Sequence, residues 1–153
     1  MLDTPKEKAD LLDALFASIS TMDDGEKTPP TIPRCQSSMP EVKFNQTAVR
    51  RALSSLDIHK SSGPDGISPL VLRSCAPELT PVLTRLFRHS YSVGVVPDSW
   101  KSALIHPIPK KGDGSDPSNY RPIAITSLLS KVMESIINSQ LLVCLEDHRL
   151  ISD

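Results

Sequence analysis

Aromatic side chains make up only 4% of the 153 residues, too sparse a set for a surface built mainly on base stacking. An excess of either charge is missing too. The 17 Lys and Arg almost balance 18 Asp and Glu, for a net charge of −1. No global field draws the chain to a polyanion, so any such contact must come from a local patch. The three cysteines, Cys35, Cys75 and Cys144, are too few and too scattered for a disulfide framework or a zinc site. They read as buried or free thiols in a reducing compartment. His59, His89, His106 and His148 have no cysteine or carboxylate at ligand spacing, so no metal site is expected. The opening MLDTPKEKAD lacks the apolar stretch of a signal peptide. No unbroken apolar run approaches the roughly 18 residues of a membrane span. The expectation is an intracellular chain, cytoplasmic or nuclear, with no membrane partner. A Gly-x-Ser-x-Gly elbow, a P-loop, a dinucleotide fingerprint and internal repeats are absent as well.

Proline is plentiful. Its 14 copies fall mostly between apolar segments and punctuate them. Leu11, Leu12, Leu15, Phe16 and Ile19 predict a helix over Glu7 to Ser20, followed by an extended, proline-rich linker from Gly25 to Pro40. A second helix starts near Asn45 or Thr47 with Val49, Ala52, Leu53 and Leu56 on one face. It gives way to the turn Lys60-Ser61-Ser62-Gly63-Pro64-Asp65-Gly66. Ser68-Pro69 restarts a helix, Pro77 interrupts it, and a stronger one follows. Its expected apolar side is Leu79, Val82, Leu83, Leu86, Phe87 and Tyr91, and it stops at Gly94 and Pro97. Trp100 to Lys110 and Tyr120 to Ile125 are extended. Their prolines exclude a central strand but allow an exposed hairpin around a flexible charged tip, with Trp100 as a core anchor beneath it. Ser127 to Asp147 carries a wide helical stripe from Leu128 to Leu145.

Three blocks then stand in order: KSSGPDGI at 60–67, VPDSWKSALIHPIPKKGD at 96–113 and NYRPIAITSLLSKVMESII at 119–137. Together they closely resemble the opening of the reverse transcriptase of non-LTR (LINE-type, jockey-like) retrotransposons, and 8–20 resembles the helix before that domain. The resemblance covers nearly the whole chain. It implies a mixed α/β, helix-rich fold: the truncated fingers region of a right-hand polymerase, with one β-hairpin and several helices. Residues 1–40 would be an N-terminal helix and linker, and 41–153 a partial domain lacking the catalytic palm. Lys110 (or Lys111, in an equally possible register) and Arg121 would hold the triphosphate of an incoming deoxynucleotide. Lys60, Gly63, Pro64, Asp65 and Gly66 would lie near the RNA template, although the residues themselves favour a structural turn. RNA template, DNA primer and the missing palm region are the implied partners.

Elementary chemistry is compatible with that assignment. A triphosphate needs cations, and the planar arginine fork grips phosphate oxygens in pairs. Between Lys101 and Arg121 four cations face two aspartates, a local excess of +2. The same cations would also serve simply to keep an exposed hairpin soluble. In the family, Mg²⁺ is held by palm aspartates downstream of 147, so no cofactor is expected here and the chain is expected not to polymerise by itself. Thr21-Met22-Asp23-Asp24-Gly25 imitates the paired-aspartate signature but precedes the fingers blocks and lacks flanking strands, so it is read as a solvated helix end. The alternatives are a catalytically dead nucleic-acid-binding module, a protein-interaction module using the last helix, and a decayed copy.

Overall fold

Thr4 begins the first helix by capping it. The Glu7 N–H donates to Thr4 Oγ1 and the Thr4 N–H to Glu7 Oε2, the reciprocal pair that satisfies two orphan donors at a helix start. A computed structural model describes residues 4–20 and 39–150. Their elements are helix α1 (Pro5–Ile19), α2 (Gln46–Ser54), α3 (Pro69–Ser74), α4 (Ala76–Val93), strands β1 (Ala103–Pro109) and β2 (Tyr120–Thr126), and helix α5 (Leu128–Asp147). Mixed α/β, rich in helix and carrying one two-stranded hairpin, is therefore the architecture. The chain divides into two compact units, one of residues 1–34 and 105–124, the other of 35–104 and 125–153.

In the larger unit α2 packs on α4 and α5. Asn45 caps α2 by accepting from the Ala48 N–H, and the helix then buries Val49 and Leu53 completely. Around them close Val42, Phe44, Leu72, Leu83, Phe87, Trp100, Leu128, Leu129, Val132, Met133 and Ile136. Each such large side chain contributes about 1.5–3 kcal/mol by leaving water. Trp100 meets the edge of Phe87, and Phe87 lies beside Phe44, with ring centroids 5.9 and 6.0 Å apart. Two polar clamps hold the extended segment before α2. Arg88 Nε donates to the Phe44 carbonyl at 2.6 Å, and the Gln140 amide both accepts from the Lys43 N–H and donates to its carbonyl.

Two expectations change. Pro77 lies in the first turn of α4 and starts the helix instead of interrupting it, because an N–H is dispensable there. Pro81 is the proline inside the helix. The buried side of α4 is also rotated from the expected one: Ala76, Thr80, Leu83, Thr84, Phe87 and Ser90 are inside, while Val82, Leu86 and Tyr91 are exposed. The reason is that the hydroxyls satisfy themselves. Thr80 donates to the Ala76 carbonyl, Thr84 to that of Thr80 and Ser90 to that of Val95, at 2.6–2.7 Å, so burying them costs little.

Helix α5 buries only the first half of its stripe. Leu128, Leu129, Val132, Met133 and Ile136 are inside, whereas Leu141, Leu142 and Val143 are exposed. By length and composition alone α5 is long and apolar enough to cross a bilayer, a point that a search for unbroken apolar runs overlooks. Lys131 and Glu134 break its apolar surface, and its buried residues belong to the core of this unit.

In the smaller unit α1 lies against the hairpin. The Lys110 N–H donates to the Asn119 carbonyl, and the equal strand lengths carry that register along the ladder, with Ile108 opposite Arg121 and His106 opposite Ile123. Pro107, Pro109 and Pro122 then fall on the alternate pairs, whose backbone nitrogens point away from the partner strand. Three prolines are tolerated because none removes a ladder bond.

Candidate nucleotide and nucleic-acid interface

The hairpin has two distinct faces. Ile105, Pro107 and Tyr120 share clefts with Lys8, Leu11, Leu12 and Phe16 of α1, so that face is turned toward the helix. Paired residues project to the same side of a ladder. The other face therefore carries His106, Ile108, Lys110, Asn119, Arg121 and Ile123, of which all but Asn119 are exposed. Two cations thus share one open face with Ile108 between them along the pairing. Lys110 is tethered, since its Nζ donates to the Ser118 carbonyl at 3.0 Å. Lys111 follows it into the tip and is exposed.

The tip is more ordered than the expected open loop. Asp113 accepts from both the N–H and the hydroxyl of Ser115, at 2.9 and 2.7 Å, and Asp116 does the same with Ser118. Two successive Asp-x-Ser turns thus replace a floppy connection. The bonds from the serine hydroxyls, then those from the serine amides, hold both carboxyls below the ordinary value of 3.8, with Lys110 adding a smaller pull on Asp116. Asn119 Nδ2 donates to the Asp113 carbonyl and the Tyr120 hydroxyl to that of Gly114, so both ends of the loop are fastened. The aspartates stay ionised and their charge offsets part of the cationic face.

The residues 60–66 lie in the larger unit and form a fastening device. The Gly66 N–H donates to the Gly63 carbonyl at 3.0 Å, closing a β-turn with Pro64 second and Gly66, at φ +67°, last. Asp65 accepts from the Ile67 N–H with one oxygen and from the Ser127 hydroxyl, at 2.5 Å, with the other. Ser127 in turn accepts from the Leu129 N–H and so caps α5. Gly63 is buried against this junction. A Cβ there would come within 2.7 Å of Ser127 Cα and the Thr126 carbonyl oxygen. Sequence reading identified the turn and a helix beginning at about Ser127, but not that they touch. Lys60 is exposed beside the turn.

The Asp23-Asp24 pair and Cys35 lie outside the described residues. Among the described residues no group of three His, Cys, Asp or Glu side chains could hold a metal ion, and no metal-assisted step is assigned to them.

Known proteins give this sequence a family. No family profile matches the chain. Individual relatives do. It is 31% identical over 110 residues, 71% of its length, to the RNA-directed DNA polymerase from mobile element jockey of Drosophila melanogaster. A probable RNA-directed DNA polymerase from transposon BS of the same fly is 29% identical over 119 residues, 77% of the chain. The Pol polyprotein from type-1 retrotransposable element R2 of Popillia japonica is 40% identical over 55 residues, 36% of the chain. The chain belongs to the non-LTR retrotransposon polymerases. It spans 12%, 13% and 8% of these three relatives respectively. The retrotransposon resemblance read from the three blocks therefore holds, as does the mixed α/β class.

Proposed function

We propose that residues 41–153 are the fingers part of a retrotransposon reverse transcriptase domain, preceded by a helix and linker over 1–40. In this reading the open hairpin face meets the triphosphate of an incoming deoxynucleotide. Arg121 grips phosphate oxygens, and Lys110 or Lys111 supplies the second cation. The 60–66 turn lies beside the RNA template. The exposed Leu141, Leu142 and Val143 of α5 are where a palm region, holder of the Mg²⁺ and the DNA primer end, would pack. The setting is intracellular.

The observation that carries the reading is the shared face. Arg121 and Lys110 project to the same side of the hairpin, opposite α1. Among the described residues no ion pair or side-chain hydrogen bond engages Arg121. A guanidinium displayed on a ladder without a protein partner is poised for an external anion.

The test is a chimaera in which residues 60–147 replace the matching segment of the jockey polymerase, assayed by primer extension on an RNA template. Arg121→Ala should lower extension at least about a hundredfold, the scale of losing one preorganised contact to transition-state charge. Arg121→Lys should recover part of it. Wild-type extension by Arg121→Ala would refute the assignment of the nucleotide site.

A further inference from the structure

Helix α2 carries a cationic strip that lies outside the three blocks discussed above. From Val42 to Leu56 the sequence holds Lys43, Arg50 and Arg51 and no acidic residue. Glu41 and Asp57 flank this stretch, which has a local excess of +3. Helix α2 collects part of it along a cleft of about 510 Å³ against the start of α4, lined by Gln46, Thr47, Arg50, Arg51, Ser54, Pro77 and Thr80. Both arginines are exposed, and no carboxylate lines the cleft.

The other arginines of this region show what a structural role looks like. Arg73 reaches the Leu56 carbonyl and Arg88 the Phe44 carbonyl. Among the described residues no hydrogen bond or ion pair engages the guanidinium of Arg50 or Arg51. Arg51 also borders a neighbouring cleft that contains Glu41 and Asp147, yet the single ion pair among the described residues is Lys101–Asp98. Arg50 has no such neighbour lining its cleft.

The shape of the lining selects the ligand. Gln46, Thr47, Arg50, Arg51 and Ser54 follow one side of α2 for about 12 Å at the helical rise, an elongated strip of donors. No aromatic ring lines the cleft to stack on a nucleobase. Donors without a base platform read the backbone and not the sequence.

We propose that the α2 cleft is a second contact for nucleic acid, taking consecutive phosphodiester groups of a single RNA strand on Arg50 and Arg51, with Gln46, Thr47 and Ser54 as neutral donors. The site is separate from the hairpin and independent of base identity. It rests on the reading that this segment handles an RNA template.

The experiment uses the 153-residue chain and a fluorescent 20-nucleotide oligouridylate, with anisotropy titrations over a salt series. Arg50→Gln/Arg51→Gln should weaken binding on the order of tenfold at low salt, from two exposed charge contacts. It should also flatten the log K against log salt slope by about 1.4, at roughly 0.7 per phosphate contact on a single strand. Arg50→Lys/Arg51→Lys should restore most of the slope, and circular dichroism should match wild type. An unchanged slope in the Gln double variant, with Arg121→Ala weakening binding, overturns the cleft while leaving the hairpin reading intact. No binding by the wild-type chain overturns both. Binding of poly-glutamate as tightly as oligouridylate, lost in the Gln double variant, would make the cleft a site for acidic protein segments and overturn the proposal.

Discussion

Gly63→Ala isolates the contact on which the larger unit turns. The new methyl would stand 2.7 Å from both Ser127 Cα and the Thr126 carbonyl oxygen and 2.8 Å from Ser127 N. These are backbone atoms, so no flexible side chain can swing aside. Forcing a methyl into such a place costs about 1–3 kcal/mol. Any shift of residue 127 also stretches two bonds made by its hydroxyl. Loss of the bond to the Asp65 carboxylate costs about 1.5–3 kcal/mol, and loss of the cap on α5 about 1 kcal/mol. Against this, alanine restrains the unfolded chain, returning about 0.4–1 kcal/mol. With the two hydroxyl bonds only partly broken, the net expectation is a loss of about 3 kcal/mol.

Trp100 is the only tryptophan and is buried in the same unit, so its fluorescence in a urea titration reports the unfolding in question. For a slope of about 1–3 kcal/mol per molar urea, the midpoint should fall by about 1–3 M. Gly66→Ala is the internal control. Nothing lies within 4 Å of a Cβ there, and only the positive φ of +67° opposes it, a cost of about 1–2 kcal/mol. A Gly63→Ala protein within about 1 kcal/mol of wild type, or one more stable than Gly66→Ala, would refute the close-approach argument.

Removing the Arg88 clamp with Arg88→Met keeps much of the aliphatic packing but loses the 2.6 Å bond to the Phe44 carbonyl. Stability should drop by about 1–2 kcal/mol in the same titration, and an unchanged midpoint would contradict a structural role. Acid should loosen the hairpin tip. Because Asp113 and Asp116 have folded values lowered from 3.8 by Ser115 and Ser118, their contribution is present above 3.8 and lost as pH falls through the lower folded values. Carboxyl carbon shifts in NMR should give midpoints below 3.8 for both, moving back toward 3.8 for Asp113 in Ser115→Ala. A midpoint at or above 3.8 would mean that the Asp-x-Ser bonds do not form in solution.

Local chemistry was readable wherever a residue acts on its near neighbours. Asn45 and Ser68 cap helices as their side chains suggest, and the prolines of the hairpin correctly exclude a central strand. The reading failed where a polar side chain satisfies its own helix. Thr80 and Thr84 look like surface residues beside Val82 and Leu86, yet a hydroxyl bonded one turn back behaves as a small core residue. It failed again at the loop tip, where counting charges misses that each aspartate is bonded to a serine two residues on. The α2 cleft gives a weaker signal still: two adjacent arginines are unremarkable until a second helix turns them into one wall of a groove.

The 60–66 block shows why a motif can be specific without every residue in it meeting a ligand. Gly63 is enclosed by the backbone at 126–127, and Asp65 divides its two oxygens between Ile67 and Ser127. Gly66 provides the left-handed exit from the turn. Gly63 and Asp65 are committed to the junction at 126–127, 62 positions away in the sequence for the Asp65–Ser127 bond, and Gly66 closes the turn that carries them. A template strand passing here would find the exposed Lys60, Ser61, Pro64 and Gly66. Lys60 is then the residue of the block able to make a salt-sensitive phosphate contact, while Gly63 and Asp65 would influence the template by holding the start of α5. The GPDG turn and the ITSLLS segment, which resemble the family as separate strings, are in physical terms one joint.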